Sequence, residues 1–118
     1  MGRMVGTPLY RRRAVVGRGQ VWWVDHPEAG TRPHLVLTRD QAIPVLSALL
    51  AVPATRTVRG IPTEVRLGQS DGMPHECALS LDNTTLMPKA FFREPICTLG
   101  PERMDSVCRA LALATGCR

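Results

Sequence analysis

Arginine and threonine side chains could support chemistry on a phosphate group, and one residue of each type adjoins an apolar stretch of the chain. Arg32 precedes Pro33 and an apolar stretch, and Thr55 follows the apolar run ALLAVPA at residues 48–54. A guanidinium offers a planar fork of donors that fits two phosphate oxygens, and a threonine hydroxyl can donate to another. From the residues alone, an exposed turn arginine and a threonine bonded to its own turn are the simpler interpretations.

The cysteines and histidines do not form a recognisable metal-binding motif. The four cysteines have neither a C-x-x-C pair nor a regular spacing: Cys77, Cys97, Cys108 and Cys117. Zinc sites usually place paired ligands at short spacing. His75, Glu76 and Cys77 are adjacent, but neighbours on an extended chain point to opposite faces. The sequence therefore predicts no metal and no other cofactor, and it predicts reduced, mostly buried thiols.

The positive charge of the chain is confined to its N-terminal segment. The 118 residues carry a net charge of +5, from 15 basic and 10 acidic side chains. Five of the arginines precede residue 19 and no acid does, so residues 19–118 hold ten basic and ten acidic groups. We therefore predict a basic, flexible arm at residues 1–17 and a single domain at residues 18–118. Such an arm could hold a polyanion or simply be solvated.

Hydrophobic patterning predicts short strands followed by one helix. The predicted strands are residues 20–24, 34–38, 48–54, 62–67, 77–81, 84–87 and 97–98. The first is β-branched and aromatic (QVWWV), and the third is apolar throughout, as in a strand buried on both faces. A turn is predicted at 28–33 and a short helical turn within 39–46. The pattern predicts a mainly β fold with a C-terminal helix (α+β), arranged as a small antiparallel β barrel.

The C-terminal helix has clear start and stop signals. Gly100 precedes Pro101, which suits the first helical position, and Gly116 lies where a cap glycine belongs. Apolar residues recur between them at helical spacing: Met104, Val107, Cys108, Leu111 and Ala114. We expect these side chains to form one buried face.

Five sequence blocks, in order, resemble the MazF/PemK family of bacterial RNA-cleaving toxins. The blocks are RGQVWWVD (18–25), GTRPHLVL (30–37), VPAT with RGIPTEV (52–55 and 59–65), LDN (81–83) and the helical segment 99–111. The resemblance covers residues 18–117, and residues 1–17 lie outside the family pattern.

The resemblance implies the toxin of a type II toxin–antitoxin system, with the SH3-like, CcdB-like barrel of that family. It implies a cytoplasmic endoribonuclease that cuts single-stranded RNA (mRNA, or rRNA or tRNA) at a specific sequence. The 2′-OH would attack without a metal, and cleavage would inhibit translation and growth. It also implies a homodimer and a cognate MazE-like antitoxin, whose acidic, flexible C-terminal segment would fold onto the RNA groove.

The resemblance also assigns site residues. It gives Arg32 and Thr55 catalytic roles, and because a guanidinium is a poor base, Arg32 would chiefly stabilise charge in the transition state. Accessory roles are predicted for Glu28, His34 and Thr57, and RNA contacts for Arg56, Arg59 and Asn83. His34 stands where the family usually has an apolar residue, so it could act as a base or simply pack on the barrel. The loops at 25–33, 39–47 and 68–76 are expected to set RNA specificity.

Two other functions remain open from the sequence. A CcdB-like toxin of the same fold would trap DNA gyrase without enzymatic activity, but such proteins carry a tryptophan in a C-terminal tail, whereas this chain has Trp22 and Trp23. A single-strand-binding barrel would need aromatic stacking surfaces, and the chain has only two Trp, one Tyr and two Phe.

A membrane protein is not expected, because no apolar stretch approaches the roughly 20 residues of a span. A secretory signal is not expected either.

Overall fold

Antiparallel strands and one α-helix form the fold in the computed structural model, which describes residues 15–117. The strands are β1 (Gln20–His26), β2 (Gly30–Val36), β3 (Ala48–Thr55), β4 (Glu64–Leu67), β5 (Cys77–Ser80), β6 (Thr85–Pro88) and β7 (Phe92–Thr98). The helix α1 spans Pro101–Thr115. The predicted mainly β fold with a C-terminal helix is confirmed. Residues 1–14 of the predicted arm lie outside the described residues.

The strands form one sheet centred on β3. The order is β4-β5-β3-β2-β1-β7, and β6 also pairs with β3. The first half of β3 pairs with β6, its middle pairs with β2, and its last two residues pair with β5. Within the described part of the chain, the end strands β4 and β7 do not pair with each other. The barrel-like sheet is therefore open rather than closed by strand pairing.

Both faces of the sheet are buried because apolar residues follow one another along the strands. Val21 and Leu35 belong to one apolar cluster, which includes residues of α1, and their neighbours Trp22 and Val36 belong to a second. Adjacent residues of a strand point to opposite faces, so each apolar run supplies both clusters. Because burial on either face specifies which residues pair, the registers of β1, β2 and β3 are strongly determined.

The first hairpin is tighter than the sequence predicts. A turn is predicted over residues 28–33, but β2 already begins at Gly30, and Arg32 lies within the strand. Gly30 adopts a left-handed φ of 85°, and Thr31 Oγ1 donates to Asp25 Oδ1 at 3.1 Å. These two features close the hairpin early and place Arg32 on a paired strand rather than on a turn.

Helix α1 begins and ends where the sequence predicts, but its buried face differs. Pro101 is its first residue, and Gly116 caps it with a φ of 74°. Val107 and Ala110 are buried against the sheet, whereas Cys108 is exposed. The prediction that Cys108 belongs to the buried face is therefore wrong. Within residues 15–117, no helix has the length and apolar character needed to cross a membrane.

The cysteines are less buried than predicted. Cys77 is buried and Cys97 is half-buried, but Cys108 and Cys117 are exposed. Val107 and Ala110 are the residues of α1 that face the core, so Cys108 lies on the exposed side of the helix. Cys117 follows Gly116, which caps the helix. The expectation of mostly buried thiols is thus wrong for the two cysteines at the C-terminal end.

Candidate active site

The strands β2 and β3 separate near the end of β3, and this separation shapes the site. Their pairing ends at His34 and Pro53. Continued by two residues, the same register would place Arg32 opposite Thr55. Neither Pro33 nor Pro53 has the N–H group that a ladder bond needs, and the last two residues of β3 pair with β5 instead.

A groove of about 490 Å³ lies at this separation. It is lined by Trp23, Thr31, Arg32, Pro33, Ala54, Thr55, Arg56, Thr57, Met73, Pro74, His75 and Cys77. The structure thus brings together four residues that the sequence analysis singles out: Arg32, Thr55, Arg56 and Thr57. Their guanidinium and hydroxyl groups are hydrogen-bond donors, and the guanidiniums are cationic, so the groove suits an anionic group such as a phosphate.

The Thr55 hydroxyl is held by its own turn. Its Oγ1 accepts a hydrogen bond from the backbone N–H of Thr57 at 3.1 Å. This is the local bond that the sequence offers as the alternative to a catalytic role. Because the bond uses the oxygen as an acceptor, the hydroxyl hydrogen can still be donated to a ligand in the groove. The local bond therefore orients the hydroxyl without preventing a catalytic contact.

The loop at residues 68–76 forms another wall of the groove, and its backbone is fixed by packing against β7. Gly72 has a φ of 98°, and a Cβ at this position would come within 2.7 Å of the Cβ of Cys97. Met73 is 3% exposed, and its sulfur lies 3.6 Å from the Cys97 sulfur. Only glycine fits this conformation and this close approach. His75 therefore extends from a loop that is anchored in the core by Met73, two residues before it.

Asp71 ties the same loop to helix α1. Its carboxylate accepts hydrogen bonds from Arg103 Nε at 3.0 Å, from Arg103 Nη2 at 3.3 Å and from the Gly68 backbone N–H at 3.0 Å. Burial raises the pKa of Asp71, but the bonds from Arg103 and Gly68 outweigh burial and hold that pKa below its ordinary value. The ionised carboxylate thus stabilises the loop in its folded position.

His34 lies in the protein interior rather than in the groove. The residue is 6% exposed, and its Nδ1 is 3.2 Å from the carbonyl oxygen of Arg32. Burial lowers the pKa of His34, an effect that its contact with the Arg32 carbonyl opposes and that the Arg32 charge reinforces. The position matches the packed histidine that the sequence allows rather than a base that reaches substrate.

Three other predicted residues lie outside the groove lining. Glu28 is exposed in the turn between β1 and β2. The backbone N–H of Arg59 donates to Glu64 Oε1 at 3.0 Å, and its guanidinium lies 3.7 Å from Glu64 Oε2. Asn83 Nδ2 donates to Ser80 Oγ at 2.7 Å. The structure does not bring these side chains to Arg32, and their roles toward RNA stay predictions.

Among the lining residues that the sequence analysis did not single out as site residues, Trp23 and His75 have side chains that could act on RNA. Trp23 is half-buried and pairs with Pro33, whereas its neighbour Trp22 is 3% exposed. Strand alternation sends these neighbours to opposite faces, so a signal for Trp23 was available in the sequence. His75 belongs to a loop that was expected to set specificity, but no local pattern shows that this loop approaches Arg32.

The chain matches a known protein family over most of its length. Residues 17–115 match the model of the PemK-like, MazF-like toxin of type II toxin–antitoxin systems. The chain is 40% identical over 105 residues to the probable endoribonuclease MazF5 of Mycobacterium tuberculosis, which covers 88% of this chain and 96% of that protein. It is 38% identical over 101 residues to the probable endoribonuclease MazF2 of the same species, and this match covers 85% of this chain and 98% of that protein.

Solved structures of similar proteins share the fold. A mycobacterial endoribonuclease in complex with its cognate antitoxin superposes with a TM-score of 0.79 at 28% identity, covering 86% of this chain and 96% of that one. The Mycobacterium tuberculosis toxin MazF-mt6 gives a TM-score of 0.78 at 27% identity, covering 84% and 98%. Both superpositions cover more than four-fifths of this chain, so the shared fold extends over most of its length.

Proposed function

The chain belongs to the PemK-like, MazF-like toxin family of type II toxin–antitoxin systems, and we propose from this premise how its groove cuts RNA. It is a toxin endoribonuclease, since the curated relatives that cover most of both sequences are named as endoribonucleases. The alternative of a CcdB-like toxin directed at gyrase is not favoured by these relatives. The domain that carries the activity is residues 18–118, with Val16 and Gly17 of the predicted arm in contact with it. Residues 1–14 of that arm are accessory.

The convergence of Arg32 and Thr55 on one open groove carries the proposal. A phosphodiester in this groove would meet the Arg32 fork and the Thr55 hydroxyl, with the charge of Arg56 nearby. The half-buried indole of Trp23 offers a surface on which an unstacked base can lie. Sequence-specific recognition of RNA mostly uses single strands, whose bases are free to stack in this way.

Cleavage proceeds by attack of the ribose 2′-OH on the adjacent phosphorus, with departure of the 5′ oxygen. The products are a 2′,3′-cyclic phosphate and a 5′-hydroxyl. Arg32 binds the non-bridging oxygens and stabilises the charge of the phosphorane, a contribution of roughly 3–4 kcal/mol for one such donor. Arg32 also protonates the leaving oxygen, and Thr55 donates to a phosphate oxygen. Within residues 15–117 no three His, Cys, Asp or Glu side chains cluster as a metal site, and metal-independent cleavage stays a prediction.

An exposed apolar patch supports a homodimer. Leu50 on β3 and Leu86 on β6 are cross-strand partners, and they are 47% and 64% exposed. Val45 and Leu46, in the segment leading into β3, are 80% and 42% exposed. Concentrations of exposed apolar side chains mark protein contacts. A second copy of the chain covers this patch, so replacing Leu50 and Leu86 by lysine should convert the dimer to a monomer in light scattering.

A cognate antitoxin is the second protein partner. A mycobacterial endoribonuclease of the same fold has been solved with its cognate antitoxin. The groove of this chain carries the guanidiniums of Arg32 and Arg56, so an acidic, flexible C-terminal segment of a MazE-like antitoxin can occupy it and exclude RNA. The toxin and its RNA substrate meet in the cytoplasm.

Mapping of RNA ends tests the proposed function. The purified full-length chain is incubated with a long RNA of mixed sequence in EDTA, and new 5′-hydroxyl ends are mapped. We expect ends that recur at one short sequence. Intact RNA, together with inhibition of purified gyrase at the same protein concentration, would contradict the proposal and favour the gyrase-directed alternative.

A further inference from the structure

The proposed cleavage needs an acceptor for the 2′-OH proton, and the groove residues that carry the proposed mechanism, Arg32 and Thr55, do not supply one. A guanidinium is protonated at neutral pH, so neither Arg32 nor Arg56 has a free site for the 2′-OH proton when the reaction begins. The hydroxyls of Thr55 and Thr57 are very weak bases. Because a positioned general base typically contributes about 10²- to 10⁴-fold in rate, the groove should contain one.

Four groups that can accept a proton are excluded by their positions or environment. Glu28 is exposed in the turn between β1 and β2, outside the groove lining. The Nδ1 of His26 accepts two backbone N–H groups of its own turn, outside the groove lining. His34 is buried in the interior. Cys77 lines the groove, but burial, with the carboxylates nearby, raises the pKa of its thiol, so the thiolate needed as a base is disfavoured.

His75 is the remaining proton acceptor among the described residues that line the groove. An imidazole is the side chain suited to proton transfer near neutral pH. The residue is exposed, so one of its ring nitrogens can meet a bound ribose. Gly72 and Asp71, which precede it, are fixed against β7 and α1 as described above. A rigid support of this kind is what a catalytic group requires.

The electrostatic surroundings of His75 come from three parts of the chain. Arg32 on β2 and Arg56, directly after β3, line the same groove. Glu76 follows His75 directly and lies 3.8 Å from Arg66 of β4, and Cys77 begins β5. The groove that His75 lines therefore also carries two cationic side chains, which suits a reaction in which a phosphate is held while a proton leaves the ribose.

We propose that His75 is the general base of the cleavage reaction, an inference that rests on the function proposed above. A neutral ring nitrogen of His75 takes the 2′-OH proton while the 2′ oxygen forms its bond to phosphorus. The bond between phosphorus and the 5′ oxygen breaks, and that oxygen takes a proton from Arg32. His75 then releases its proton to solvent and Arg32 regains one, so the RNA is split with no other reactant consumed.

The test uses the full chain and an RNA oligonucleotide that spans a cleavage site mapped with the wild-type protein. Single-turnover rates are measured from about pH 5 to pH 9 for the wild type, His75→Gln and the control Glu102→Gln. Glu102 is an exposed carboxylate in the first turn of α1 and is not part of the groove lining. We expect His75→Gln to be about 100-fold slower at neutral pH and to lose the rise of rate with pH. Glu102→Gln should keep the wild-type rate and profile.

Binding and rescue experiments separate catalysis from structure. A non-cleavable oligonucleotide with a 2′-deoxy sugar at the cleavage site should bind His75→Gln within about threefold of the wild type. Imidazole added to the solution should partly restore the cleavage rate of His75→Ala. A wild-type rate and pH profile in His75→Gln would overturn the proposal, and so would a loss that lies entirely in RNA affinity.

A substrate with sulfur in place of the 5′ leaving oxygen distinguishes a base from an acid. A thiolate leaves without protonation, so this substrate rescues the loss of a general acid but not of a general base. We expect His75→Gln to stay slow on it, and a return to the wild-type rate would overturn the assignment. Failure of the wild-type protein to cleave any RNA would instead contradict the proposed function itself.

Discussion

Arg32 on β2 and Thr55 on β3 line one groove because the register that would pair them ends two residues earlier, at His34 and Pro53. That register is set in the core, where Leu35 pairs with Val52 and both are fully buried. A shift of one residue would turn every side chain of β3 to the other face of the sheet. The geometry of the site therefore depends on core packing as well as on the residues in the groove.

Removal of the Thr55 hydroxyl should slow cleavage more than removal of the Thr57 hydroxyl. Thr55→Val loses a donor to a charged phosphate, which corresponds to about a 10- to 100-fold lower single-turnover rate. Thr57→Val should change less, because Thr57 holds Thr55 through its backbone N–H rather than its side chain. Thr55→Ser serves as the conservative variant and should retain most activity. Equal losses in the two valine variants would contradict this assignment.

Trp23→Ala should weaken RNA binding rather than the chemical step. The indole lines the groove, and stacking of a base on an aromatic side chain contributes about 1–3 kcal/mol. Fluorescence anisotropy with the non-cleavable 2′-deoxy oligonucleotide should show a clearly raised Kd, and Trp23→Phe should restore most of the affinity. An unchanged Kd with a reduced single-turnover rate would be inconsistent with a stacking role.

Loss of the Asp71 carboxylate should destabilise the protein at neutral pH but not in acid. The pKa of Asp71 is lower in the folded state than its ordinary value, so its contribution is present above about pH 4 and disappears as the pH falls through the folded-state pKa. Thermal unfolding of Asp71→Asn should show a lower Tm than the wild type at pH 7. The difference should shrink towards about pH 2.

The control for this experiment is Asp105→Asn, which removes an exposed carboxylate of α1. It should leave the Tm close to that of the wild type at both pH values, because surface charges contribute little to stability. A Tm difference for Asp71→Asn that does not depend on pH would argue against the bond to Arg103 as its cause.

Deletion of residues 1–14 should leave the folded domain and its cleavage site intact. The fold already includes Val16, which packs against the second apolar cluster, and Gly17, whose N–H donates to Gln20 Oε1 at 2.7 Å. The deleted segment carries four arginines, so RNA affinity should become less dependent on salt concentration. Cleavage at a new sequence, or loss of folding, would show that the segment is not accessory.

Local signals explain how much of the fold could be predicted from the sequence. Pro101 predicts the start of the helix and Gly116 predicts its end, and the QVWWV run predicts β1. Each of these signals depends only on neighbouring residues, so it can be found in the sequence. Arg32 and Thr55 were found through family-like blocks in order, not through their residue types alone. Cys108 was misplaced because helical spacing alone does not show which flank of a helix faces the sheet.

The parts of the site that escaped prediction depend on contacts between distant segments. The groove exists because β3 pairs with β2 as far as Pro53 and with β5 after it. No local sequence pattern predicts that change of partner. His75 reaches the groove because Gly72 packs against Cys97, which is 25 residues away along the chain. Tertiary packing of this kind depends on the whole core. The sequence pattern therefore predicts that residues 68–76 form a loop, but it does not predict where that loop lies.

The most direct test of the account is single-turnover cleavage of a mapped RNA oligonucleotide in EDTA by the wild type, Arg32→Ala and Arg32→Lys. The wild type should release a 5′-hydroxyl fragment without added metal. Arg32→Ala should be about 10²- to 10³-fold slower with an almost unchanged Tm, and Arg32→Lys should recover little, because an ammonium lacks the planar fork. Near-normal cleavage by Arg32→Ala, or cleavage by the wild type only after magnesium or zinc is added, would contradict the account.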